Sequence, residues 1–98
     1  MIYRVELAPQ AERDLVRLVD FLAEHSETAA RRAGDAIKLG LRSLARMPAR
    51  ARRISDDLHE FDIRFGKSGY VVQFRVKHDA VVVARIFHMY EDWRGSGD

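Results

Sequence analysis

Residues 58–88, LHEFDIRFGKSGYVVQFRVKHDAVVVARIFH, carry the clearest pattern in the chain. Phe61, Ile63 and Phe65 alternate with Asp62 and Arg64, the period of a strand with one buried face. GKSG at 66–69 follows, a hairpin connection rich in residues that tolerate positive φ. Val72, Phe74 and Val76 then alternate with Gln73, Arg75 and Lys77, and His78-Asp79 makes a second turn. The run from Val81 to Phe87 is apolar on both sides, which predicts a central strand. Near the start, Tyr3, Val5 and Leu7 alternate with Ile2, Arg4 and Glu6, and predict a further strand over 2–7.

Between these strands the period changes. Pro9 suits the first turn of a helix, where its missing N–H costs nothing, and Glu12 lies in the turn where the helix dipole favours an anion. Ala11, Leu15, Leu18 or Val19, and Leu22 recur at spacings of three and four, with Arg13, Asp14, Arg17, Asp20 and Glu24 mostly opposite. A helix is predicted over 9–25. Ser26 or Thr28 caps a second one, whose apolar line is Ala29 or Ala30, Ala33, Ile37, Leu41 and Leu44, and Met47-Pro48 ends it. Gly34 and Gly40 lie inside, and with the neighbouring alanines they are expected to let the two helices approach closely. The short link makes the pair an antiparallel hairpin. Residues 48–57 read as a loop or irregular arm anchored by Ile54, and 91–98 as a frayed tail, with Trp93 able to fold back on the sheet.

The predicted fold is α+β in the order β-α-α-β-β-β: a helical hairpin on one face of a mostly antiparallel sheet, in a single domain spanning 1–98. The opposite face stays partly open, with Arg64, Gln73, Arg75 and Lys77 on it.

Composition narrows the function classes. With no cysteine there is no disulfide framework and no thiolate metal site, which suits a reducing cytosol. No apolar run approaches a membrane span, and MIYRVELAP has a strand pattern rather than that of a signal peptide. The formal net charge of +2 is weak support for nucleic-acid binding. Its distribution says more. Arg42, Arg46, Arg50, Arg52 and Arg53 form an acid-free run, and Asp56, Asp57, Glu60 and Asp62 follow. Two readings fit the basic run: a solvated helix end, or a docking site for an acidic peptide or a phosphate backbone.

No phosphate loop or dinucleotide fingerprint is present, and GKSG joins two strands instead of feeding a helix. His25, His59, His78 and His88 lack metal-ligand spacing, so neither a metal nor a cofactor is expected. The cluster with chemical potential ends the last strand: Arg85, His88, Tyr90 and Glu91, with Arg75 and Glu60 as possible additions. RNA cleavage at the 2′-hydroxyl needs a base, an acid and a cation, and His, Tyr and Arg supply those types. The alternative is that His88 closes the core edge and Tyr90 covers it.

Three stretches together resemble the RelE/ParE toxin superfamily of bacterial type II toxin–antitoxin systems, closer to its ParE-like branch. YRVELAPQAERDL at 3–15 resembles the opening strand and helix start, and LRSLARMPARARR at 41–53 the end of the second helix. DIRFGKSGYVVQFRVKHDAVVVARIFHMYEDW at 62–93 resembles the closing strands. The resemblance implies poisoning of DNA gyrase without enzymatic chemistry, as in ParE-like members, or ribosome-dependent cleavage of messenger RNA, as in RelE-like ones; a third reading is a non-toxic, divergent protein-binding relative. It also implies a cognate antitoxin whose disordered C-terminal segment folds over the toxin. ParE-like members usually end H-G-x-R-D; His88 and Asp92 match that frame, whereas Met89 replaces the glycine and Tyr90 and Glu91 replace the basic part.

On this basis Leu15, Leu18, Leu22, Arg46, Arg50, Arg52 and Arg53 are expected to meet the antitoxin, and Arg64, Arg75, Lys77, Arg85, His88, Tyr90 and Asp92 the target. A nuclease would instead use His88, Tyr90, Arg85 and Glu60. The expected place of action is the cytoplasm.

Overall fold

The computed structural model describes residues 2–46, 48 and 51–91. The elements are β1 (Arg4–Leu7), α1 (Pro9–Ala23), α2 (Glu27–Ser43), β2 (Arg52–Arg53), β3 (His59–Phe65), β4 (Ser68–Lys77) and β5 (Ala80–His88). They build a five-stranded sheet in the order β1-β5-β4-β3-β2. The last strands form the expected antiparallel meander, and β1 joins β5 in parallel, with Leu7 opposite Val83. Both β4 and β5 are interior strands, as the two-sided apolar run of β5 predicts, and β4 is the middle one.

The core lies between the hairpin and one face of the sheet. Ala33, Ile37, Leu41 and Leu44 from α2 meet Ile63, Tyr70, Val72, Phe74, Val81, Val83 and Ile86, with Tyr3, Val5 and Leu7 packed at the margin. A shift in the pairing between Gln73 and Phe74 inserts one extra residue in β5. Both Ile86 and Val83 therefore face the core although they lie three positions apart.

Several local expectations change. Ser26 is the cap of α2, its hydroxyl accepting from the Ala29 amide at 3.1 Å. The helix stops at Ser43 rather than 47. The Leu44 and Ala45 amides turn back to Leu41 and Arg42, and the Ala45 carbonyl accepts from the Tyr3 amide at 2.7 Å, so the start of the chain ties off the helix end. Met47 lies outside the described residues. The 48–57 arm contains a short strand, β2, which pairs with His59 and Glu60. Ile54 is exposed; Pro48 is buried and Ala51 packs on the core in its place. Of GKSG, Gly66 and Lys67 form the turn, while Ser68 and Gly69 already belong to β4.

The two helix glycines do different jobs. A methyl group on Gly34 would meet Val19 of α1 at 3.7 Å, an ordinary contact, so this position sits in the helix–helix seam. On Gly40 it would fall 2.5 Å from both Cγ1 and Cδ1 of Ile63, so Gly40 brings α2 down onto the sheet and not onto its partner helix.

Candidate functional site

The ends of α1 and β5 meet where β1 stops. β1 covers the edge of β5 only as far as Val83, whose carbonyl accepts the last bond, from Ala8. Pro9 then turns the chain into α1, and side chains take over from the missing strand. Asp14 Oδ2 accepts the Ile86 amide at 2.9 Å, and Arg17 Nη2 reaches the Ile86 carbonyl at 3.4 Å. Glu91 Oε1 accepts the His88 amide at 2.7 Å, and its other oxygen pairs with Arg17 at 2.7 Å. A strand edge that would otherwise present bare amides is thereby satisfied without a strand.

Asp14 is fully buried and anchors this arrangement. It receives Arg85 Nε at 2.8 Å and Nη2 at 3.2 Å, besides Gln10 Nε2 at 3.2 Å. Burial alone pushes its carboxyl up. The hydrogen bonds from Arg85, the Ile86 amide and Gln10, with the Arg85 charge, outweigh that and hold it below the usual carboxylate range. Arg85 also lies 4.5 Å from the centre of the Phe87 ring.

His88 lies opposite Tyr70 on the helix-facing side of the sheet. Its Nδ1 accepts the Tyr90 amide at 3.1 Å and its Nε2 sits 3.3 Å from Ser68 Oγ. An amide can only donate, so the ring proton belongs on Nε2 and is given to Ser68. The ring meets Tyr70 edge-on with centroids 5.5 Å apart. Burial pushes the Tyr70 phenol up. Beside this group is an apolar cleft of about 410 Å³, walled by Leu18, Phe21 and Leu22 of α1 and by Tyr70, His88 and Tyr90, with Arg17 and Glu91 at its rim.

The nuclease set does not converge. Glu60 is buried in β3, where Oε1 accepts from Arg52 at 3.0 Å and Oε2 from Gln73 at 3.1 Å. The register Glu60–Gln73–Arg85 leaves a whole strand between Glu60 and Arg85. Arg85 is held by Asp14, and His88 and Tyr90 lie beyond it on the other face.

The residues expected to meet a target are dispersed as well. Arg64 sits opposite Gly69 at one end of β4 and Lys77 opposite Ala80 at the other, roughly 26 Å apart along the strand. Arg75 pairs with Asp57 at 3.3 Å. Asp92 and Trp93 lie outside the described residues.

On the hairpin, Leu18 is buried, and Leu15 and Leu22 pack against the core, so this line is turned inward. The large apolar residues that the helices expose are Val16, Phe21 and Leu39. Arg46 is exposed, whereas Arg52 is engaged by Glu60 and by Asp62 at 3.2 Å, and Arg53 Nε donates to the Ser55 carbonyl. The basic run and the acidic run therefore partly neutralise each other. Arg50 lies outside the described residues.

Sequence reasoning put Asp14 on the polar side of α1 and Glu91 in a frayed tail. A signal for Asp14 was present: it falls three residues after Ala11 and four before Leu18, on the apolar stripe itself.

The hairpin on a five-stranded sheet, its edge closed by α1, is the toxin component of a type II toxin–antitoxin system: residues 5–93 match the family model described as ParE toxin of the parDE type II toxin–antitoxin system, and the chain belongs to the RelE/ParE superfamily. Among characterised relatives it is 45% identical over 87 residues to "Toxin RelE3" of Caulobacter vibrioides, covering 89% of this chain and 95% of that protein. It is 36% identical over 91 residues to "Toxin RelE1" of the same organism, covering 93% and 98%. A chromosomal ParDE system from P. aeruginosa has the same fold, with a TM-score of 0.70 at 19% identity over 90% of this chain and 97% of that one. The RelBE2 toxin–antitoxin complex from Mycobacterium tuberculosis matches with a TM-score of 0.56 at 26% identity over 90% and 99%.

Proposed function

We propose that this toxin acts without enzymatic chemistry, arresting growth by binding DNA gyrase in the cytoplasm, and that a cognate antitoxin neutralises it through a disordered segment that folds on binding. The observation that carries this reading is the dispersal of the acid–base set. Arg85 is locked to buried Asp14, Glu60 is consumed by Arg52 and Gln73, and neither stands beside His88. General acid–base cleavage needs those groups within hydrogen-bond reach of one substrate. The ParE family match supports the same reading.

Two relatives carry the RelE name, so the test runs both targets in parallel. Purified protein is added to gyrase in a supercoiling assay and to ribosomes programmed with a defined messenger. Inhibited supercoiling with intact messenger is the expected result. Cleaved messenger, lost in the His88→Ala/Tyr90→Ala variant, together with unaffected gyrase would overturn the proposal.

A further inference from the structure

On the side of the sheet away from β1, β3 is only partly covered. β2 lies along its outer side opposite His59 and Glu60 alone, and Ala51, just before β2, packs on the core instead of continuing along the strand. Only Gly66 and Lys67 connect Phe65 to Ser68, so those two residues close the hairpin as a bonded pair. Backbone alternation then aims the amides and carbonyls of Ile63 and Phe61 at β4 and turns those of Asp62 and Arg64 outward. Neither Asp62 nor Arg64 has a main-chain partner on that side among the described residues.

The side chains of this stretch run Phe61, Asp62, Ile63, Arg64, Phe65, an order that reads the same from either end except for the sign of the charge. A strand laid antiparallel to itself meets its own order reversed, so here acid meets base. Asp62 and Arg64 are exposed, Ile63 is buried, and Phe61 and Phe65 are half-buried beside it. Arg64 makes no ion pair among the described residues. Asp62 accepts from Arg52 at 3.2 Å, and a carboxylate has acceptor sites left for a second guanidinium.

We infer that two copies of this chain associate edge to edge through β3, antiparallel, about a two-fold axis at Ile63. Asp62 then lies opposite the second copy's Arg64, and Arg64 opposite its Asp62, both at positions whose main-chain groups point outward. Each of these pairs exchanges both N–H···O bonds, and its side chains form an ion pair on the exposed face. Ile63 faces its counterpart between them, and Phe61 meets the second copy's Phe65 on the helix side. Moving the axis onto Asp62 or Arg64 sets like charges face to face, so the charges fix the register. Charged residues ordinarily discourage pairing at a sheet edge; in this mirrored order they admit a second copy. β4 and β5 separate β3 from β1, so the contact leaves the first helix and the β1 edge uncovered, and it stands whichever target the chain binds.

Sedimentation of the purified full chain over a range of concentrations tests it, together with amide hydrogen exchange. The expected result is a monomer–dimer equilibrium in which the Asp62 and Arg64 amides exchange more slowly as the dimer fills. Asp62→Arg and Arg64→Asp each set like charges opposite one another, and each alone should weaken the dimer about tenfold or more. Mixed together, the two variants regain both acid–base pairs, and a mixed dimer should form. Arg64→Pro removes only an outward amide, a change an edge strand tolerates, and should abolish the dimer even if Asp62→Arg fails to fold. A chain that stays monomeric with both amides unprotected overturns the inference. So does a dimer that Arg64→Asp and Arg64→Pro leave intact, which puts the contact on another surface. A mixture of folded variants that stays monomeric denies the register and overturns it as well. Protection of the two amides only when an antitoxin is bound assigns the edge to that partner, with the same consequence.

Discussion

Asp14 and Arg85, 71 positions apart, form a two-pronged ion pair in which the carboxylate is fully buried and also holds the Ile86 amide. One side chain of α1 thus fixes both the backbone and a side chain of β5. Arg17 and Glu91 extend the contact to His88, so ion pairs and hydrogen bonds tie the end of the sheet to the first helix beside the apolar cleft.

Removing the charge from Asp14 should therefore cost more than a surface ion pair would. Asp14→Asn leaves Arg85 without its acid and weakens the acceptor for Ile86, a loss of about 3–5 kcal/mol for a broken buried pair. Urea denaturation at neutral pH measures it. The acid limb gives the sign. The folded carboxyl titrates below its ordinary value of 3.8, so its contribution is complete above that value and disappears as pH falls through the folded pKa. Wild type should lose this part of its stability in that acid range, and Asp14→Asn should lose none there. A matching acid slope in both proteins would remove Asp14 from this role.

The meander and hairpin were legible because period two and period 3.6 are strong signals when one face is buried. Phe61, Ile63 and Phe65 do face the core, as does the Ile37–Leu41–Leu44 line. The site was less legible because its parts are polar residues whose partners are distant in sequence. Asp14 falls on the apolar stripe of α1, but its partner has no local signal: β1 ends one pair after Glu6 and thereby exposes the Ile86 amide, 72 positions away. Leu15, Leu18 and Leu22 look like a docking stripe, but a 98-residue chain has one core, and the sheet claims that stripe first. The two-residue strand β2 has no periodicity to read; it forms because Arg52 lies across from Glu60 and its guanidinium reaches Asp62.

Gly40 should resist substitution although it sits inside a helix. Replacing glycine by alanine in a helix interior ordinarily gains about 1 kcal/mol. Here the new methyl group would overlap Cγ1 and Cδ1 of buried Ile63, and overpacking of this kind costs about 1–3 kcal/mol. Gly40→Ala is expected to be neutral to destabilising, and Ile63→Ala destabilising through its cavity. The double variant should recover part of the sum, a coupling that a denaturation cycle reads directly. Strict additivity would mean the two sites do not touch. Gly34→Ala, with Val19 at 3.7 Å, should instead be stabilising.

The two hairpin turns should respond in opposite directions to substitution. Gly66 and His78 both have left-handed backbones, with φ of 60° and 54°. Gly66→Ala meets no atom within 4 Å, so its cost is conformational, roughly 1–2 kcal/mol. His78 already carries that strain. His78→Gly relieves it and returns part of the gain as unfolded-state entropy, leaving a net stabilisation of about 0.5–1 kcal/mol. Thermal melts of the two variants should move apart, Gly66→Ala downward and His78→Gly upward.

The ring proton of His88 should be found on Nε2, because Nδ1 accepts the Tyr90 amide. Long-range ¹⁵N–¹H correlation at neutral pH distinguishes the two neutral tautomers and the imidazolium. Ser68 Oγ is the matching acceptor at 3.3 Å, so Ser68→Ala should cost about 0.5–1.5 kcal/mol and shift the Nε2 resonance while leaving Nδ1 unprotonated. His88→Phe keeps a ring against Tyr70 but gives the Tyr90 amide nothing to bond. The 89–91 turn should then exchange its amides faster, and the Arg17–Glu91 pair should loosen with it. If the spectrum shows Nδ1 protonated, the Tyr90 amide has another acceptor, and the geometry assigned to the end of β5 is wrong.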